Sequence, residues 1–158
     1  MPKAVQAIKP ESYFLKYAFP CAEVLKDLRR ITEKDFEKAK KAAFSNKTLP
    51  KRYLEKIFKN AVIRMKKIDK NCWNIATIRK YFLDEHNKVI DREEGEYKRL
   101  PEAIKQLCRI KTGKVIEIKK GILITKVKNE KINLVPLYKN PKKGDKVIIH
   151  YGFAVEKA

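Results

Sequence analysis

The hydrophobic pattern of this chain changes period once, near Cys108, and that change constrains the fold more than any other feature. Ahead of it, apolar residues recur at the three-and-four spacing of helices. After it, short apolar runs are separated by turn residues, as in strands. Four of the five glycines, Gly113, Gly121, Gly144 and Gly152, fall in this last third. The chain therefore reads as α+β, with a helical domain over residues 1–107 and a small β-barrel domain over residues 108–158.

The helical part divides at its prolines and caps. Pro10 suits a first helical turn and precedes Glu11, Tyr13, Phe14 and Tyr17. After Pro20, the residues Val24, Leu25 and Leu28 predict a short second helix. Thr32-Glu33-Lys34-Asp35 predicts a capping box that opens a third, with Phe36, Ala39 and Ala43 on one face. Beyond Pro50, the apolar series Leu54, Ile57, Phe58, Ala61, Val62, Met65 and Ile68 predicts one long amphipathic helix. Its other face carries Arg52, Lys56, Lys59, Lys66 and Lys70. That stripe reads either as a solvated outer face or as a surface for an anionic partner. A further helix from Asn74 aligns Ile75, Ile78, Phe82, His86 and Val89, which makes His86 a packed or rim histidine. Cys21 and Cys72 read as buried structural cysteines. The charged stretch 91–96 reads as a loop, and a short helix from Pro101 to Leu107 leads into Cys108.

Strands are predicted at Lys114–Ile118, Ile122–Lys128, Lys131–Val135 and Lys146–Tyr151, with hairpin positions at Gly121 and at Asn129-Glu130. Short strands at this spacing suit a small closed or half-closed barrel, OB-like in type.

The formal charge is +20, and residues 108–158 supply +9 of it (13 Lys and Arg against 4 Asp and Glu), so the excess is not held in a tail. Such a field attracts polyanions, and a nucleic-acid (RNA) binding protein is one reading of it. Three widely spaced cysteines form no disulfide framework. Without a Cys-x-x-Cys, and with only His86 and His150, a preformed zinc site is not expected. The sequence has no phosphate loop, nucleophile elbow or recognisable carboxylate pair, so an enzyme is not expected either. No run reaches the ~20 apolar residues of a membrane span. Met1–Val5 carries no apolar signal core, which predicts a cytoplasmic protein.

The last stretch is the most specific. Cys108-Arg109-Ile110-Lys111-Thr112-Gly113 opens the barrel region, Leu134-Val135-Pro136 ends its middle strand, and Gly144-Asp145 with His150-Tyr151-Gly152-Phe153-Ala154 closes it. In order and spacing these residues resemble the HypC-type chaperones of nickel–iron hydrogenase maturation, over about a third of the chain. Here the matching cysteine is internal, and Thr112 stands in the place of the family's turn proline. The resemblance implies a non-enzymatic metallocentre-assembly chaperone or adaptor. Its partner would be a HypD-like maturation protein or a hydrogenase large subunit. Cys108 would be the partner or iron contact, with His150 in support, and iron would be held transiently, with no tightly bound cofactor. Gly113, Gly144, Asp145, Gly152 and Phe153 are the supporting motif residues. Taken by itself, Cys108 reads equally as a small packed hydrophobe at a helix-to-strand junction.

Overall fold

The computed structural model describes residues 8–158, so the reading of Met1–Val5 lies outside the described residues. Helix α1 (Pro10–Ala18) starts on its proline and runs through a 3-10 turn, Phe19–Cys21, into α2 (Ala22–Asp27). Pro20 fits this narrow turn without ending the helical path. Leu28, the C-cap of α2, is 38% exposed. Helix α3 (Glu33–Ser45) carries the capping box: Thr32 Oγ1 accepts the Asp35 N–H at 3.0 Å, and the Asp35 carboxylate accepts the Thr32 N–H at 3.3 Å.

The long helix expected after Pro50 is two. Helix α4 (Lys51–Ile57) and α5 (Lys59–Ile68) meet at Phe58, whose backbone leaves the helical region at φ −114°, ψ 45°. The Phe58 ring is buried edge-to-face against Phe14, with centroids 5.7 Å apart. The amphipathic division survives the break. Leu54, Phe58, Val62 and Met65 are buried, and Arg52, Lys56, Lys59, Lys66 and Lys70 are exposed.

The helix from Asn74 is also interrupted. Asn74 accepts the Thr77 N–H at 2.8 Å and caps α6 (Ile75–Lys80). A π-helical turn at Tyr81–Glu85 follows, then α7 (His86–Asp91). A π turn widens the helix by one residue, and such turns recur at functional sites. Periodicity alone does not show it. It buries Tyr81 beside Phe82 while keeping His86 on the inner face. A 3-10 turn (Gly95–Arg99) lies within the stretch read as a loop and beyond it, and α8 (Glu102–Cys108) ends on the cysteine.

Five strands follow: β1 (Lys111–Lys119), β2 (Ile122–Val127), β3 (Glu130–Pro136), β4 (Lys146–His150) and β5 (Phe153–Lys157). They form a closed barrel in the order β1-β2-β3-β5-β4, with β4 back against β1. The pairings are antiparallel except β3 with β5, which is parallel through Val135–Phe153 and Pro136–Ala154. Lys120-Gly121, both at positive φ, make the first hairpin turn. The second turn is Lys128-Asn129, one residue earlier than expected, with Lys128 at φ 53°. Strand β5 is the element the sequence reading lacks. The chain turns at Tyr151, φ 59°, and returns along β4 from Phe153. This return closes the barrel.

The barrel interior is Val115, Leu123, Leu134, Val147, Ile149 and Ala154. The alternation of β4 decides how barrel and helices meet. Val147 and Ile149 point inward, while Ile148 joins Leu137 and Val155 in the same apolar cluster as the helical core. His150 follows Ile148 on that outward face and so enters the helical part. No described helix is long and apolar enough to cross a membrane.

Candidate metal centre

His150 is delivered between the helices by strand register, and its two ring nitrogens find different partners. Nδ1 lies 2.7 Å from the Tyr17 carbonyl oxygen, which accepts only, so Nδ1 carries the proton. Nε2 then presents a lone pair, and the Cys21 Sγ lies 3.0 Å from it. Cys21 is held there by the 3-10 turn that Pro20 shapes. His86, the first residue of α7, completes the group, with its ring centroid 4.8 Å from that of His150 at a steep 78°. One ligand atom each from Cys21, His86 and His150 lies within 4.8 Å of the others.

Both imidazoles are buried. His86 is 2% exposed and His150 fully buried. Burial pushes the His150 imidazole down to about 4, against the opposing pull of the Tyr17 carbonyl. Burial also pushes His86 well below its ordinary value, helped by His150 beside it. Both rings are therefore neutral at pH 7, the form that binds metal. His86 Nε2 lies 3.2 Å from the Tyr97 hydroxyl, and among the described residues its buried Nδ1 has no hydrogen-bond partner. An orphaned buried nitrogen calls for an explanation, and a ligand is one. Cys108 is fully buried, and its interaction with Cys21, together with burial, pushes the Cys21 thiol up.

This donor set fits a borderline or soft cation. A thiolate with two neutral imidazoles suits Zn(II) or Fe(II), and a metal displaces the thiol proton that burial otherwise retains. The Tyr17 carbonyl holds His150 in the orientation that backbone acceptors give to metal-bound histidines.

The thiol beside His150 is Cys21, and Cys108, expected as the metal contact with His150, lies outside the converging trio of Cys21, His86 and His150. Cys21, read as a structural cysteine, and His86, read as a packed or rim histidine, are the residues the structure gathers beside His150. His86 left one signal, an imidazole on an otherwise apolar face. No preformed zinc site was expected from the cysteine and histidine inventory; the Cys21, His86 and His150 side chains are brought together by tertiary contacts.

The supporting motif residues have structural roles. A Cβ on Gly113 would lie 2.8 Å from Thr125 Cγ2 and 2.9 Å from the Lys126 carbonyl oxygen, so only glycine lets β1 and β2 approach. Gly144 sits at φ +95°. Asp145 Oδ2 accepts the Lys142 N–H at 2.8 Å and the Tyr138 hydroxyl at 2.9 Å, bonds that hold its carboxyl below its usual range. Phe153 packs edge-on against Phe19 and Phe44, at 5.3 and 6.1 Å. Gly152 has open space where a Cβ would stand. Of the barrel's aromatics, Phe153 is used in packing and Tyr138 is tethered to Asp145, while Tyr151 lies half-buried. They form no row of exposed rings on the strands.

Comparison of the chain with protein-family models, with curated proteins and with solved structures returns no match.

Proposed function

We propose that this protein is a metal-handling chaperone or adaptor of the HypC type, which receives a transition-metal cation or an iron group at Cys21, His86 and His150. The observation that carries the reading is the convergence of one thiol and two neutral buried imidazoles, with Cys21 and His150 separated by 129 residues of sequence. An arrangement assembled from this far apart, with one nitrogen left unpartnered, goes beyond what packing requires. The strand order β1-β2-β3-β5-β4, closing through β4, supports an OB-like barrel. In this reading Cys21 takes the role that the resemblance gives to Cys108, and Cys108 stands beside it as a second thiol. The metal is cargo, and the implied partner is a HypD-like maturation protein or a hydrogenase large subunit.

The test is anaerobic affinity purification followed by iron and zinc analysis and identification of bound proteins. Metal bound to the wild type and lost in Cys21→Ser, together with a maturation partner, supports the reading. A metal-free protein that carries RNA removable by salt overturns it in favour of nucleic-acid binding.

A further inference from the structure

A cavity of about 280 Å3 is lined by exposed cations, by buried apolar residues and by the Cys21 and Cys108 thiols. The exposed residues on it are Arg30, Lys56 and Lys59, all cations. None has a carboxylate within 4.0 Å among the described residues. The buried lining is largely apolar and aromatic and includes Phe58 and Tyr81. Arg64, also on the lining, is held by Glu96 in a two-pronged ion pair at 2.8 and 3.1 Å, so it is not free to bind a ligand. Cys21, Cys108 and His86 line the cavity as well, and His150 does not.

We propose that this cavity binds a small organic anion with an apolar body and a soft donor, such as a thiol, at its far end. The carboxylate sits at Arg30, Lys56 and Lys59, where charge is unpaired and water remains. The body replaces water against Phe58 and Tyr81. The sulfur reaches the position in front of Cys21 and His86, where three protein donors leave one place of a tetrahedral metal open. There the thiol gives its proton to solvent and its electron pair to the cation, with no change of oxidation state. The volume is that of about nine waters at about 30 Å3 each, which suits a small molecule and not a peptide. This inference rests on the metal reading of the centre.

The experiment uses the full chain, reduced with a phosphine and loaded with Co(II). The probes are 6-mercaptohexanoate, hexanoate and 6-mercaptohexanol. Mercaptohexanoate is expected to bind saturably and to change the visible Co(II) spectrum with the metal retained on the protein. Hexanoate is expected to bind without that change. The uncharged mercaptohexanol should bind at least tenfold more weakly than mercaptohexanoate, and K56A/K59A should reduce mercaptohexanoate affinity by at least tenfold. Both lysines are exposed, so the variant keeps its fold. Co(II) binding with no saturable mercaptohexanoate binding overturns the inference and leaves the metal reading standing. So does binding unaffected by K56A/K59A. Failure of Co(II) to bind at all overturns both.

Discussion

Protonating His150 should destabilise this protein, and the structure sets by how much. Its imidazole is fully buried and held at about 4, from an ordinary 6.5. The folded chain therefore binds this proton less well than the unfolded chain. The stability of the neutral ring is fully present above about pH 6.5 and is lost as pH falls towards about 4. That gap, at about 1.4 kcal/mol per pH unit, makes about 3 kcal/mol in full and about 2 kcal/mol between pH 7 and pH 5. His86 is shifted the same way and adds to the loss. The carboxyls of Asp35 and Glu96 are held below their ordinary 3.8 and 4.5, so their contributions are lost only under this window. The assay is urea denaturation of chelator-treated protein at pH 7, 6 and 5, for wild type and His150→Gln. Gln can still donate to the Tyr17 carbonyl but cannot titrate. Wild type should lose at least about 2 kcal/mol between pH 7 and 5, and the variant markedly less. Equal pH dependence in both would refute the burial argument.

Three further outcomes follow from the contacts. Glu156→Ala removes the acceptor of the Tyr17 hydroxyl at 2.5 Å, the Tyr13 hydroxyl at 2.7 Å and Arg79 at 2.6 Å. Because Tyr17 is fully buried, the unpaired hydroxyl should cost about 2 kcal/mol in chemical denaturation. Gly113→Ala should destabilise by about 1–3 kcal/mol, since the new methyl meets the Lys126 backbone, whereas Gly152→Ala should leave the thermal midpoint within a few degrees. Cys108→Ala should cost about 1 kcal/mol or more, as a buried thiol packed with Val89, Ile90 and Tyr97, yet leave Co(II) binding in the folded fraction.

The architecture was legible wherever it is written locally. The capping box at Thr32, the amphipathic face from Leu54 to Met65 and the change of period at Cys108 each follow from neighbouring residues. What escaped depends on distant ones. The break at Phe58 accompanies its packing on Phe14, and the π turn at Tyr81 appears only once Phe82 and His86 have a common core to fill. Strand β5 is five residues long and part of its pairing is with β3, so its own pattern was too short to identify it. His150 was found because the closing motif carries it, and strand alternation explains where it points. Cys21 had no such signal. His86 and His150, which it meets, lie in α7 and β4, and no local spacing encodes a cluster that only tertiary packing assembles.

The measurement closest to the central claim is anaerobic Co(II) titration of the metal-free protein, followed by visible spectroscopy. One ion per chain is expected, with a sulfur-to-cobalt charge-transfer band and tetrahedral ligand-field bands. Cys21→Ser should abolish the charge-transfer band, and His86→Ala and His150→Ala should each weaken binding by about tenfold or more. A charge-transfer band that persists in Cys21→Ser and disappears in Cys108→Ala would contradict the account. It would return the metal contact to the cysteine at the head of the barrel.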